Sequence, residues 1–231
     1  MIVRTGIAAV LLAVLLAAPA AWADAVTYSA TPVIGITPVN WGPTSISVPQ
    51  WNPSMFPGAT LLKVTLTYDG TVLGTIQYEN EGPGAHSVTG TLAAAEKLWD
   101  PDGNLLLTCT PTASQADLLP AWDGDTDFGG SSGRTYTDVT GSAQSIFWTT
   151  GSPYLTMFTG VGDVVMTTQA QGSSFMTGGG NVASEFSTSA GASLQVTYDY
   201  EETAIPEPCT LALGALSLAG IGLWRGRRRR R

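Results

Sequence analysis

Apolar and polar residues alternate with a period of two along much of this chain, and the clearest example is residues 61–80. Apolar side chains recur at second positions on both sides of Asp69-Gly70, a dipeptide that favours tight hairpin turns. A three-residue loop, 68–70, pairs Leu66 with Val72 and keeps the apolar side chains on one face. A two-residue loop would put them on opposite faces, because a one-residue slip inverts a strand. The pattern therefore predicts a β-hairpin over residues 61–80, with Gly70 in the left-handed position of its turn.

Residues 192–200 alternate as regularly and predict a further strand. Shorter runs predict strands at residues 44–48, 86–92, 105–110, 134–139, 163–170 and 182–188. Turns are predicted at residues 100–104 and 178–181, which are rich in Asp, Asn and Gly. Residues 93–99 suggest one or two helical turns, and no long amphipathic helix is predicted. Many short strands with frequent turns predict an all-β fold, an antiparallel β-sandwich of jelly-roll or immunoglobulin-like type.

The first 23 residues form a predicted secretory signal peptide with a helical apolar stretch. Arg4 supplies the positive charge at its start, and residues 6–18 form the apolar stretch. Ala21 and Ala23 provide the small residues of a cleavage site, so the mature chain is expected to begin at Asp24. Residues 24–203 then have the size of one secreted domain with its own hydrophobic core.

The last segment, residues 204–231, combines a polar break, an apolar run and a basic tail. The break contains Pro206, Glu207 and Pro208, and residues 210–224 carry no charge. This run falls short of the roughly 20 apolar residues of a stable spanning helix, so we expect a short hydrophobic helix that inserts into the membrane transiently. A cluster of arginines would hold its end on the cytoplasmic face. The cluster consists of Arg225, Arg227, Arg228, Arg229, Arg230 and Arg231.

In this order, the Pro206-Glu207-Pro208 motif, the apolar run and the arginine cluster resemble the PEP-CTERM sorting signal of bacterial envelope proteins. The same signal is also labelled an ice-binding-protein C-terminal domain. The resemblance implies that an exosortase, a membrane-embedded cysteine transpeptidase, cuts near the motif and transfers the chain to a surface or exopolysaccharide anchor. Cys209 departs from the family pattern, in which Ser, Ala or Thr is usual. A plain tail anchor is the alternative, but it requires neither this motif nor a cleavable N-terminal signal.

Charge is distributed unevenly along the chain. The formal net charge is −8, yet seven of the ten Lys and Arg residues lie in the two terminal segments. Between Asp24 and Ile205, 3 basic residues stand against 17 acidic residues, a net charge of −14. This balance argues against a nucleic-acid partner, because nucleic acids are bound by clustered Lys and Arg. It is compatible with calcium, with a cationic surface, or simply with solubility.

Three carboxylates at alternate positions, Asp123, Asp125 and Asp127, form the best candidate metal site. In a Gly-rich loop such side chains can converge on a hard cation such as Ca²⁺. An EF-hand would also need Gly and Glu where this chain has Phe128 and Arg134, so the loop is not an EF-hand. A calcium site and a solvated acidic loop are both retained as interpretations, and no other cofactor is expected.

The cysteines and the single histidine indicate no catalytic centre. Cys109 lies in an apolar strand-like run, which predicts an inert buried thiol. His86 follows a Gly/Pro turn and lacks the sequence context of a hydrolase triad, so an exposed loop histidine is expected. The protein is therefore expected not to be an enzyme.

Seven short motifs follow one another along the body of the chain, at residues 64–67, 100–104, 135–138, 158–160, 178–181, 189–192 and 196–200. In this order they resemble the choice-of-anchor E domain of bacterial surface proteins. The resemblance covers roughly residues 26–202 and implies an extracellular location. The family carries interchangeable C-terminal anchors and has no known molecular function, so it supplies no catalytic residue.

Two other classes of function are kept as alternatives. A carbohydrate-binding module could use exposed tryptophan rings as sugar-stacking platforms. The candidates are Trp41, Trp51, Trp99, Trp122 and Trp148. A glycoside hydrolase would need a pair of carboxylates, and no spacing identifies one. The sequence thus predicts a secreted cell-envelope protein with a structural or adhesive role in a surface layer or exopolysaccharide matrix, and the export machinery, exosortase, the membrane and polysaccharide as partners.

Overall fold

Two antiparallel sheets, packed face to face as predicted, form the part of the chain that the structure describes. The structure is a computed structural model, and it describes residues 23–202. The first sheet contains β1 (Ala23–Ser29), β2 (Ile34–Pro38), β4 (Ala59–Asn80), β8 (Gly133–Thr149) and β11 (Val182–Glu202). The second contains β3 (Trp41–Pro49), β5 (His86–Trp99), β6 (Leu105–Cys109), β7 (Thr112–Leu119), β9 (Asp163–Gly172) and β10 (Phe175–Gly178).

Two short helices connect strands within the described residues. A 3₁₀ helix spans Pro53–Met55, and α1 spans Tyr154–Met157. No helix within residues 23–202 is long and apolar enough to cross a membrane. The predicted signal helix and the predicted C-terminal hydrophobic helix lie outside the described residues.

The predicted hairpin over residues 61–80 is wrong, because these residues belong to one continuous strand. Asp69 and Gly70 lie in the middle of β4 and pair with β11 on one side and β8 on the other. The period of two continues through both residues, and two long partner strands satisfy the backbone groups of this segment, so the turn preference of Asp-Gly is overridden. With 22 residues, β4 is about 70 Å long at roughly 3.3 Å per residue.

The other predicted strands are confirmed, most of them with longer bounds, although β6 ends at Cys109, one residue earlier than predicted. The two strands predicted at residues 182–188 and 192–200 are parts of β11, which pairs with β4 from Val182 opposite Asn80 to Glu202 opposite Ala59. Residues 93–99 belong to β5 and form no helical turn. The turns at residues 100–104 and 178–181 are present, and β1, β2, β7 and β10 were not predicted.

Strand β5 changes partners halfway along the second sheet. Residues 86–93 pair with β7, and β10 lies on the other side. Residues 94–99 pair with β9, and β6 lies opposite. Strand β3 then extends the sheet beyond β9. One long strand thus joins two differently built halves of this sheet.

The hydrophobic core between the sheets is divided into two clusters. The first contains Val64, Leu66, Tyr68 and Leu98 among its buried residues, and the second contains Val72, Ile76, Leu92 and Ala94. Along β4 the change occurs between Tyr68 and Val72, and along β5 it occurs between Ala94 and Leu98. Gly70 and Glu96 lie at this boundary, which we call the waist.

Both described chain ends lie at the same end of the sandwich. Ala23 pairs with Glu201, and Glu202 pairs with Ala59 at the start of β4. We call this the terminal end. The opposite end of β4, where Asn80 pairs with Val182 and Glu79 with Gly133, is the loop end. The length of β4 separates the two ends.

Candidate functional site

The most polar part of the loop end is the acidic loop, defined as residues 122–132 between β7 and β8. Its first residue, Trp122, donates its backbone N–H to the Gly82 carbonyl oxygen (2.9 Å). Its last residue, Ser132, accepts from the Asn80 N–H (3.0 Å) through its carbonyl oxygen. The loop is therefore fixed at one end to the last residue of β4 and at the other end to the connection that follows this strand.

Asp123 closes the acidic loop with its carboxylate. Oδ2 accepts hydrogen bonds from the Ser131 N–H (2.8 Å) and the Ser132 N–H (3.3 Å). Hydrogen bonds from the Ser131 backbone and the Ser132 side chain and backbone favour the ionised form, and they lower the pKa of Asp123 to about 2. Asp123 thus acts as an ionised brace between the two arms of the loop.

The three predicted metal ligands do not converge. The Asp123 carboxylate accepts hydrogen bonds from the backbone of its own loop. Asp127 Oδ1 accepts from the Gly129 N–H (2.8 Å). At Asp125 it is the main-chain carbonyl oxygen that accepts, from Trp122 Nε1 (3.3 Å). Within residues 23–202, no group of three or more His, Cys, Asp or Glu side chains is gathered as a metal site. The calcium site predicted for these three carboxylates therefore stays a prediction that this arrangement of the described residues does not support.

Glu79 lies directly beneath the acidic loop. It follows Tyr78, whose side chain is in the core, so strand alternation directs Glu79 to the outer face of the sheet. Glu79 is nevertheless fully buried (0% exposed). A Cβ on Gly133 would overlap both the Glu79 Oε2 and the Gly129 nitrogen, which locates the carboxylate against the turn of the loop. Neither carboxylate oxygen has a hydrogen-bond partner among the described residues.

Glu96 is the second fully buried carboxylate without a hydrogen-bond partner, and it lies at the waist. A Cβ on Gly70 would stand 2.5 Å from Glu96 Oε2 and 3.1 Å from Cys109 Sγ, so the glycine leaves room for both side chains. The nearby Tyr68 hydroxyl shares a hydrogen bond with Thr168 Oγ1 (2.8 Å). Burial raises the pKa of Glu96 to about 8, and Tyr68 partly opposes this shift.

Cys109 is a buried free thiol, as predicted. Its Sγ donates to the Ala143 carbonyl oxygen (3.3 Å), and burial raises the pKa of the thiol. Both features disfavour the reactive thiolate. His86 begins β5, as the strand predicted at residues 86–92 requires, but it is half-buried and not an exposed loop residue, with Gly82 and Gly180 against its ring.

The tryptophans differ strongly in exposure. Trp51 is buried and stacked on Phe56 at 5.8 Å between ring centroids, and Trp41 donates Nε1 to the Ala190 carbonyl oxygen. Of these two candidate stacking rings, Trp51 is thus buried and Trp41 is half-buried. Trp148 is 61% exposed on β8, and Trp122 is 49% exposed on the acidic loop. Only these two rings among the five candidates present large free faces.

Two surface depressions are each lined by a pair of carboxylates. One of ≈ 590 Å³ includes Asp24 and Asp199, and Asp199 is paired with Lys63 Nζ at 3.3 Å. The other, of ≈ 200 Å³, includes Asp100 and Asp102. Asp100 accepts from the N–H groups of Asp102 (3.0 Å) and Asn104 (2.7 Å) as the predicted turn requires. Asp24 also accepts from the Ala25 N–H (2.8 Å) and the Tyr200 hydroxyl (3.4 Å), so both carboxylates of the first pair and Asp100 of the second are already engaged.

The predicted sorting residues lie outside the described residues. This applies to Pro206, Glu207, Pro208, all six C-terminal arginines and Ala21. Ala23, the last residue of the predicted signal peptide, opens β1.

Sequence reasoning did not identify the two buried glutamates. For Glu96 a signal was available, because the inward positions of β5 include Leu92, Ala94 and Leu98 and place residue 96 on the same face. For Glu79 there was none, because its burial depends on a loop that folds over an outward-facing position.

Comparison with known proteins identifies no family for this chain. No protein-family model matches the sequence, and no curated protein matches it. Among solved structures, chains of the Gt and Gx strains of infectious bursal disease virus are similar at 12% identity, with TM-scores of 0.14 and 0.12. The alignments cover 85% of this chain and 47% and 48% of the viral chains, so this chain spans about half their length. Similarity at this level carries no functional argument.

Proposed function

We propose that the protein is a secreted β-sandwich of the bacterial cell envelope, sorted through its C-terminal segment by an exosortase. Its role is structural or adhesive, in a surface layer or an exopolysaccharide matrix. One observation carries the proposal, namely the ordered Pro206-Glu207-Pro208 motif, uncharged run and arginine cluster. The choice-of-anchor E motifs in the body of the chain support the same location.

The geometry of the chain ends is compatible with this proposal. Ala23 and Glu201 are paired neighbours at the terminal end, so the predicted export signal and the predicted anchor segment both leave the sandwich there. The acidic loop lies at the opposite end, about 70 Å away along β4. An anchored chain would therefore present its loop end away from the anchor.

The test replaces the sorting motif in the native host. In the variant Pro206→Ala/Glu207→Gln/Pro208→Ala, we expect the chain to accumulate in the membrane fraction with its arginines retained. The control Glu202→Gln removes a neighbouring carboxylate and keeps the motif, and it should be processed normally. Intact-mass analysis measures the ends of the chain. A motif variant that is processed and released like the parent would overturn the proposal.

A carbohydrate-binding role is the second candidate, and the exposure of Trp122 and Trp148 favours it. An exposed indole ring can stack on a sugar face. Adding the native polysaccharide should then quench or blue-shift tryptophan fluorescence, and Trp122→Ala or Trp148→Ala should remove most of the response. The absence of any response with envelope glycans would exclude this candidate.

A further inference from the structure

We propose that the space between Glu79 and the acidic loop is a binding site for a divalent cation of the Ca²⁺ type. Glu79 supplies the buried carboxylate, and the turn of the loop at Gly129 supplies main-chain oxygen. The bound ion would fasten the loop to the outer face of the first sheet. This inference does not depend on the sorting proposal, and its buried carboxylate, Glu79, is not one of the three aspartates considered from the sequence.

The state of Glu79 is the first argument for the site. Its side chain is fully buried, and both oxygens lack a hydrogen-bond partner among the described residues. An ionised carboxylate in such a place is strongly unfavourable unless it is paired or coordinates a metal. The one ion pair found within residues 23–202 is Lys63–Asp199, so no described cationic side chain pairs with Glu79.

The surroundings of Glu79 supply oxygen atoms of the right kind. The Gly129 nitrogen, the Gly129 carbonyl oxygen and Glu79 Oε2 all lie close to the position that a Cβ on Gly133 would occupy. The Gly129 carbonyl oxygen accepts one hydrogen bond, from the Gly133 N–H (2.7 Å), and retains a second lone pair. The Asp127 carboxylate is bound to the Gly129 N–H and stands at the same turn.

The chemistry of these groups selects a hard cation. Calcium accepts carboxylate, carbonyl and water oxygens in flexible geometries, and a site needs few acidic side chains when main-chain oxygens and water complete it. Zinc prefers Cys and His ligands, and neither residue type contributes to the turn around Gly129. The site is therefore assigned to Ca²⁺ rather than to a transition metal.

The electrostatics of the loop end favour a cation as well. Glu81 accepts from Thr126 Oγ1 (2.9 Å) at the edge of the loop, and the loop itself carries three aspartates. Arg134 is the nearby positive charge, but it donates to the Ser131 and Gly133 carbonyl oxygens and forms no ion pair with another described residue. The excess of negative charge attracts cations to this end of the molecule.

The test titrates CaCl₂ into the full chain, purified in detergent and treated with EGTA. Trp122 lies in the acidic loop and reports on it, so we expect a saturable change in tryptophan emission and a higher melting temperature. The variant Glu79→Gln should weaken the apparent Ca²⁺ affinity by at least about tenfold, because it removes the charged ligand. Glu96→Gln, which changes the other buried glutamate, should respond to Ca²⁺ like the parent.

A second measurement separates binding from folding. Terbium should bind in place of Ca²⁺ and luminesce through Trp122, and Ca²⁺ should displace it. Trp122→Phe should lose this luminescence and keep the Ca²⁺-dependent rise in melting temperature. The proposal is overturned if the parent shows no saturable response to either ion. It is equally overturned if a folded Glu79→Gln variant, verified by circular dichroism, responds like the parent.

Discussion

Glu79 and Glu96 are chemically identical and equally buried, yet their surroundings differ in kind. Glu96 lies between the sheets, at the waist between two apolar clusters, and its neighbours are Gly70, Cys109 and Tyr68. Glu79 lies on the outer face under an acidic loop, among main-chain polar groups. With the proposed cation at Glu79, two equally buried carboxylates are stabilised in different ways. An apolar neighbourhood favours a proton on the carboxylate, whereas an oxygen-rich one favours a cation beside it.

The largest expected effect is a pH dependence caused by Glu96. Its pKa rises from 4.5 to about 8 on folding, so the folded chain retains a proton that the unfolded chain has lost between these values. Stability is then fully present below about pH 4.5 and decreases as the pH rises toward 8. At neutral pH the loss is roughly 3 kcal/mol. Glu96→Gln stays neutral and should remove this decline, which urea unfolding at several pH values measures.

Glu79→Gln is the matched control for that experiment and should leave the decline caused by Glu96 in place. An equal decline in Glu96→Gln and in the parent would show that Glu96 is not an isolated buried carboxylate. The description of Glu96 as a carboxyl group protonated by its apolar surroundings would then be wrong.

A pair of glycine variants sharpens the comparison. Gly70→Ala would bring a Cβ against the Glu96 and Cys109 side chains, and it should destabilise the chain by about 1–3 kcal/mol. Glu96→Ala should relieve much of this cost, because the obstructing atoms belong to side chains. Gly133→Ala would overlap Gly129 main-chain atoms as well as Glu79, so Glu79→Ala should not relieve it. Double-mutant cycles from chemical unfolding measure both couplings. Equal relief at the two sites would contradict the described surroundings.

A smaller effect is expected at Tyr68. Tyr68→Phe removes the hydrogen bond to Thr168 and should cost about 1 kcal/mol of unfolding free energy. Because Tyr68 lowers the pKa of Glu96, the variant should also titrate Glu96 at a higher pH. Carbon-13 NMR of the glutamate carboxyl group follows that titration. An unchanged or lower pKa of Glu96 in the variant would show that Tyr68 does not stabilise the Glu96 carboxylate.

The smallest expected effect concerns the loop above Glu79. Asp123→Asn weakens the hydrogen bonds that brace the acidic loop, since the carboxylate accepts from the Ser131 and Ser132 N–H groups. Hydrogen exchange should accelerate at these two amides and remain unchanged along β5. Accelerated exchange at the loop amides and along β5 would mean that the acidic loop and the waist open as one cooperative unit.

Part of the fold was predictable because local alternation records which face of a strand is buried. The strands at residues 163–170 and 192–200 were recognised in this way, and so was the all-β sandwich. The sequence also contains the pattern of one continuous β4, because most of the apolar residues on both sides of Asp69-Gly70 occupy even-numbered positions and so lie on the same face. The dipeptide nevertheless favours a turn locally, and the pairing with β8 and β11 that overrides this preference cannot be read from the sequence of one strand.

The candidate site was less predictable for a related reason. The spacing of Asp123, Asp125 and Asp127 suggested convergence, but short-range hydrogen bonds with Ser131, Ser132 and Gly129 occupy two of these carboxylates. Glu79 is 44 residues from Asp123 along the chain and meets the loop only through the pairing of β4 with β8. Such a contact is a property of the folded topology and leaves no periodic trace in the sequence.

The continuous ladder between β4 and β11 has a mechanical consequence. A pull applied between Glu202 and the acidic loop passes from β11 through β4 to β8, and the hydrogen bonds of both ladders run perpendicular to the strand axis. The load is then shared by many bonds in shear, from Ala59 opposite Glu202 to Asn80 opposite Val182. Rupture would require these bonds to break together and not one after another. The sandwich is thus built to carry tension from one end to the other.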